Sequence, residues 1–218
     1  MKRSTQRLLV VLSLSAVALL LWDSIFLWPL RLFVVFLHEI SHGLAAVLTG
    51  GAITRIEFSP NEGGVCWTRG GLPFVVLNAG YLGSLIFGAA LLVASTLPRL
   101  NRVALLLLGA LVLGVTLLFV RSFFAFFYGL LAGTLLLWAW RRMGAFGAEL
   151  LLQTVGVVSG LYAVWDIATD VLFRSIHGSD ASALARLTGV PAVVWGLAWI
   201  GLSVFVLAWA LRRVAGRR

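Results

Sequence analysis

Charge is what this sequence has least of. Only 11% of its 218 residues are Asp, Glu, Lys or Arg, where a soluble domain carries about a quarter. No polar block is long enough to make a separate soluble domain, so a single membrane-embedded domain is expected over residues 1–218, with an insertion at about 52–70. Cysteine is nearly absent. Cys66 stands alone, which excludes an intrachain disulfide and any inference of redox compartment from one. A cleavage site is also missing after the basic start and the apolar run 8–21: Trp22, Asp23 and Ser24 follow, so this segment reads as a retained first helix.

What is abundant is apolar sequence. Hydrophobic residues make up 61% of the chain and mean hydropathy is +1.04. Runs long enough to cross a hydrocarbon core of about 30 Å recur along the whole length. Seven candidate helices fall at roughly 7–27, 30–48, 73–97, 102–120, 122–140, 149–173 and 190–213, or six spans if Arg121-Ser122 does not divide 102–140. The expected fold class is therefore an all-α polytopic membrane protein with six to seven transmembrane helices, in the cell (plasma) membrane. Its immediate surroundings are the lipid bilayer.

The formal net charge of +9 does not point to nucleic acid. The basic residues sit in short clusters between apolar runs: Lys2, Arg3 and Arg7; Arg99 and Arg102; Arg141 and Arg142; Arg212, Arg213, Arg217 and Arg218. Such clusters anchor helix ends at headgroups, as the nine Trp do at the interfaces. No nucleic-acid partner is expected. The basic N-terminus argues for a cytoplasmic start, but with seven spans the clusters at 141–142 and at the C-terminus fall on the opposite face.

Residues 52–70 break the helical pattern. ITRIEF and VCWTR flank the turn-forming Ser59-Pro60-Asn61-Glu62-Gly63-Gly64, and Ile56 and Phe58 alternate with Arg55 and Glu57. This predicts a short β-hairpin. Alone in water it is marginal, so it is expected to lie against the helices.

The chemistry concentrates in His38-Glu39-Ile40-Ser41-His42, inside LFVVFLHEISHGLAAVLTG. With three His and four Glu in the chain, a shuffled sequence contains HExxH about once in two thousand trials. Residues i and i+4 share a helical face, so both imidazoles can ligate one ion, and Glu39 beside them can act on metal-activated water. Counted from Leu30 at 1.5 Å per residue, His38 lies roughly 12 Å into its helix, within the bilayer. Three polar side chains there cost several kcal/mol unless they pair or bind something.

Zinc (Zn2+) held by His38 and His42 needs a third protein ligand. Asp166 and Asp170, four residues apart in GLYAVWDIATDVLF, are the acids within an apolar helix. Asp166 is the expected ligand, Asp170 the alternative. His177 lies in a polar loop and is given no role, and Asp180 there suits a turn or a helix cap. In LNAGYLGSLIFGAA, Gly80, Ser84 and Gly88 form a small-residue ridge for close helix packing. Asn78 just before it is a possible donor to substrate or to an oxyanion.

A hydrophobic helix with HEISH, then a hairpin, then NAGYLGS, then an Asp in LYAVWDI resembles the site-2 protease family of intramembrane zinc metalloproteases, specifically its compact bacterial and plant branch of membrane peptidases. The resemblance runs over most of the chain. It implies zinc ligation by His38 and His42 and a catalytic-base role for Glu39, with a membrane protein or peptide as substrate. NAGYLGS lacks the family's Pro. Trp165-Asp166-Ile167 stands where the family shows Leu-Asp-Gly, so carrying the third ligand to Asp166 rests on position and chemistry. The expected function is intramembrane proteolysis. A catalytically inactive scaffold or chaperone of the same family, or a metal transporter, are the alternatives.

Overall fold

A computed structural model describes residues 3–169 and 178–216. The order of elements is α1 (Arg3–Leu20), α2 (Trp28–Leu48), β1 (Ala52–Phe58), β2 (Gly64–Arg69), α3 (Pro73–Ser95), α4 (Pro98–Phe119), α5 (Phe123–Arg142), α6 (Ala145–Ile167), α7 (Asp180–Thr188) and α8 (Ala192–Gly216). Prolines stand in the first turns of α2, α3 and α4, where a missing N–H costs nothing. Pro98 thus opens α4 as well as closing the run before it. Among the described residues six helices (α2 to α6 and α8) are long and apolar enough to cross a membrane, and α1 adds a shorter apolar stretch. The chain is an all-α polytopic membrane protein with a two-stranded hairpin.

The division within 102–140 is real. Val120 leaves the helix in extended backbone and pairs with Ile56 of β1, and the Arg121 N–H donates to the Ile56 carbonyl at 3.1 Å. A short helix, α7, was not foreseen. Its N-cap is Ser179, whose hydroxyl accepts from the Ser182 N–H, and Gly189 closes it in the left-handed conformation.

Most of α2 is buried, and it is the most enclosed of the six long helices. Helix α3 runs antiparallel beside it. Gly80 faces α2, whereas Gly88 packs on α6, where an added Cβ would meet the Ser159 Cβ at 2.9 Å and the Gly156 carbonyl at 3.0 Å. The small-residue ridge therefore serves two different neighbours.

The hairpin is antiparallel, with Ile56 opposite Cys66 and Phe58 opposite Gly64. It folds back along α2. Ile53 lies over Gly43, Gly64 over Glu39, and at the turn Trp28 Nε1 donates to the Pro60 carbonyl at 2.8 Å. Ile56 and Phe58 are buried, and Phe58 packs against Phe36 and Tyr128. The hairpin is held by the helices, as its short length requires.

Candidate metal centre

Helical spacing brings His38 and His42 to one face of α2, and the tertiary fold supplies the rest. Their Nε2 atoms are 3.0 Å apart, and Asp180 Oδ2 lies 3.1 Å from each. These three residues form the metal-capable group among the described residues. Tetrahedral zinc with N and O ligands at roughly 2.0–2.2 Å spaces its ligand atoms about 3.3 Å apart, so this triangle is the right size for one ion. All three side chains are largely enclosed.

The surroundings orient the donors. His42 Nδ1–H donates to the Val76 carbonyl at 2.7 Å, so in the neutral ring the Nε2 lone pair is aimed at Asp180 and His38. Tyr81 meets His38 edge to face, with centroids 4.9 Å apart, and itself packs on Trp199. Gly80 runs its backbone directly against both imidazole Nε2 atoms, and a Cβ there would occupy the space where they converge. Lone pairs and a carboxylate oxygen turned to one point repel unless a cation or proton stands among them. The donor set, its spacing and the glycine-lined clearance all fit a metal ion. Burial acts to raise the Asp180 pKa, but the facing imidazoles outweigh it and hold the carboxyl below the usual range.

Glu39 is 5% exposed and sits under the hairpin. Its carboxylate bonds to the Cys66 backbone N–H, and a Cβ on Gly64 would meet its Oε1 at 2.5 Å. Burial, with the Glu39 carboxylate adding to it, pushes the Cys66 thiol up to about 12. The donors open into a cavity of about 760 Å³, bounded by α2, the hairpin turn and β2, the first part of α3, the end of α6 and the start of α7. Its far wall is polar: Arg31 pairs with Glu62 at 2.9 Å, and Tyr162 donates to Glu62 at 3.4 Å. Glu62 takes a left-handed backbone (φ 67°), unusual for a residue with a side chain. Burial raises its pKa while Arg31 opposes the rise.

The third-ligand expectation needs correcting. Asp166 lines the same cavity but is not in the group of converging donor atoms. Asp170 lies outside the described residues, as does His177. The carboxylate beside the histidines is that of Asp180. Because Ser179 is the cap, the Asp180 side chain is free to turn to the imidazoles. A separation of 142 residues leaves no local sequence signal. Asn78 is likewise placed elsewhere: Nδ2 donates to the Phe74 carbonyl at 2.8 Å, and Oδ1 accepts from Trp199 Nε1 at 2.9 Å. It joins α3 to α8 and does not line the cavity.

No curated protein and no solved structure matches the chain. Residues 11–210 match the family described as Peptidase M50B-like. With an HExxH helix in a bundle of apolar helices and that match over most of its length, the chain belongs to the Peptidase M50B-like group of the site-2 protease (M50) family of membrane metalloproteases.

Proposed function

We propose that this protein is an intramembrane zinc metalloprotease that hydrolyses peptide bonds of membrane-protein substrates. The observation that carries the reading is the convergence of His38 Nε2, His42 Nε2 and Asp180 Oδ2 within 3.1 Å of one another, with Glu39 enclosed beside them. His38, His42 and Asp180 would hold the ion. When bound, zinc supplies a Lewis acid that acidifies water and polarises a carbonyl. Glu39 takes the proton from the water as its oxygen adds to the scissile carbonyl carbon. It then delivers that proton to the departing amine nitrogen as the C–N bond breaks. The Cys66 N–H holds one carboxylate oxygen of Glu39 in place for both transfers.

A helical substrate hides its carbonyls in its own hydrogen bonds, and they must be freed before attack. One edge of β1 is taken by β2 and the other by Val120 and Arg121, so among the described residues β2 has the open edge. Gly64, Val65, Cys66 and Thr68 of β2 line the cavity. An unwound substrate segment adding to this edge would be held extended next to Glu39.

The test is metal content of detergent-purified protein. We expect one zinc per chain in the wild type, retained in Asp166→Ala and lost in His38→Ala and Asp180→Ala. Glu39→Gln should keep zinc and lose about 10²–10⁴-fold in turnover. A wild type that takes up no zinc from supplemented medium would refute the enzyme reading. Zinc retained in Asp180→Ala and lost in Asp166→Ala would return the third ligand to Asp166.

A further inference from the structure

Arg31, Val35, His38 and His42 recur along one stripe of α2, and all four line the cavity. Arg31 therefore stands two turns, roughly 10 Å, before the first metal donor on the same helix face. The hairpin runs beside this stripe. Gly64 lies against Glu39, and a Cβ on Gly43 would stand 3.5 Å from the Cys66 Sγ. From Gly64 to Cys66 a strand rises about 6.6 Å, and from Glu39 to Gly43 a helix rises about 6.0 Å. Strand and helix thus keep step past the metal donors.

A strand makes no hydrogen-bond ladder with a helix, so other contacts must hold that step. Glycine contacts allow the close approach but do not resist sliding. Among the described residues three polar contacts tie the hairpin to α2. Trp28 Nε1 donates to the Pro60 carbonyl at 2.8 Å, Arg31 pairs with Glu62 at 2.9 Å, and the Cys66 N–H bonds to the Glu39 carboxylate. The last of these weakens whenever Glu39 carries a proton, as the proposed transfers require. The first is a single neutral bond. The Arg31–Glu62 contact is an ion pair, and the same carboxylate accepts from Tyr162 of α6 at 3.4 Å. Asp23 also faces Arg31, but at 3.7 Å and with its side chain 95% exposed. Among the described residues Glu62 is also the one non-glycine residue with a positive φ (67°). A backbone unfavourable for glutamate persists where the surrounding contacts over-determine it.

We propose that Glu62, clamped by Arg31, is a positioning residue that fixes the register of β2 along α2. It thereby selects which peptide bond of an added substrate strand meets Glu39 and the metal centre. The register itself does not depend on the protease reading, whereas the choice of peptide bond rests on it. A hairpin freed from Arg31 slides along α2 and carries the paired substrate with it. Slips by an even number of residues keep each side chain on its own face, so those are the slips allowed.

Two substitutions break the contact from either side. Glu62→Asn suits the left-handed backbone but offers Arg31 no charge, and Arg31→Gln leaves the turn sequence intact. Register is read without turnover by adding Gly43→Cys, whose thiol iodine oxidation joins to Cys66, with the rate followed by peptide mass mapping. Either substitution should slow this cross-link severalfold, while zinc content of the same substitutions in the Gly43 background stays at the wild-type level. A membrane substrate cut at one bond by the wild type should also yield termini displaced by even numbers of residues. A cross-link at the unaltered rate in either variant overturns the proposal. A single unaltered terminus with a slowed cross-link overturns the step from hairpin register to cleavage site. A wild type that binds zinc and cuts nothing refutes the protease reading alone, and the cross-link still decides the register.

Discussion

Gly80 decides whether the two imidazoles can converge. Its backbone touches both Nε2 atoms, and a methyl group there would sit where an ion is expected. Gly80→Ala should therefore keep the helices, since Ala is the better helix former, but lose bound zinc and with it turnover by tenfold or more. Far-ultraviolet circular dichroism beside metal analysis checks this, and full zinc in Gly80→Ala would show that the ion binds elsewhere. Cys66 gives a second residue-scale expectation. With its thiol pushed up to about 12, it carries almost no thiolate at neutral pH. Alkylation at pH 8 should be at least about a hundredfold slower than for an ordinary exposed cysteine. The rate should still be climbing above pH 10, and a plateau near pH 9 would contradict the burial argument. The HExxH residues were readable in the sequence because i and i+4 are neighbours on any helix. Asp180 was not, because nothing local ties it to α2.

At the scale of elements, the hairpin contributes most beyond the helices. It closes over Glu39 through Gly64 and Cys66, and its turn is tied to α2 by Trp28 and Arg31. Thr68→Pro removes one N–H from β2 without touching the metal donors. We expect zinc content to stay at the wild-type level while turnover of a membrane substrate falls severalfold or more. Unchanged proteolysis in Thr68→Pro would rule out strand addition as the way substrate is held. The hairpin itself was predictable from period-two alternation around a Ser-Pro-Asn-Glu-Gly-Gly turn. Its docking along α2 was not, since burial of Ile56 and Phe58 depends on Phe36, Phe124 and Tyr128.

For the molecule as a whole, helix α1 begins and helix α8 ends on the same face, so an even number of crossings is expected. Helix α1 starts by the start of α6, where Arg7 pairs with Glu149 at 2.6 Å, and α2 ends beside the start of α3, where the Leu72 N–H donates to Thr49 Oγ1 at 3.0 Å. Among the described residues six helices, α2 to α6 and α8, are long and apolar enough to cross a membrane, which agrees with an even count. The basic clusters that fall on opposite faces under a seven-span count are thereby gathered on one. A fluorescent protein that matures only in the cytoplasm, fused in turn to either terminus of the full chain, should give the same result at both. Fluorescence from one terminus but not the other would require an odd number of crossings.

By itself the sequence determined the solvent, the helical class, the hairpin and the two histidines with their glutamate. Each depends on length, on a period of 2 or 3.6, or on neighbours within one turn, and such properties survive without knowledge of the rest of the chain. Only the tertiary structure decided that Asp180 is the carboxylate beside the histidines, that Asn78 braces α3 against α8, and that the start of α1 meets the end of α8 on one face. The physical reason is common to all three. In a chain where nearly every helix is apolar all round, sequence leaves the neighbours unspecified. Small-residue clearances such as Gly80 on α2 and Gly88 on α6 then select which helices meet.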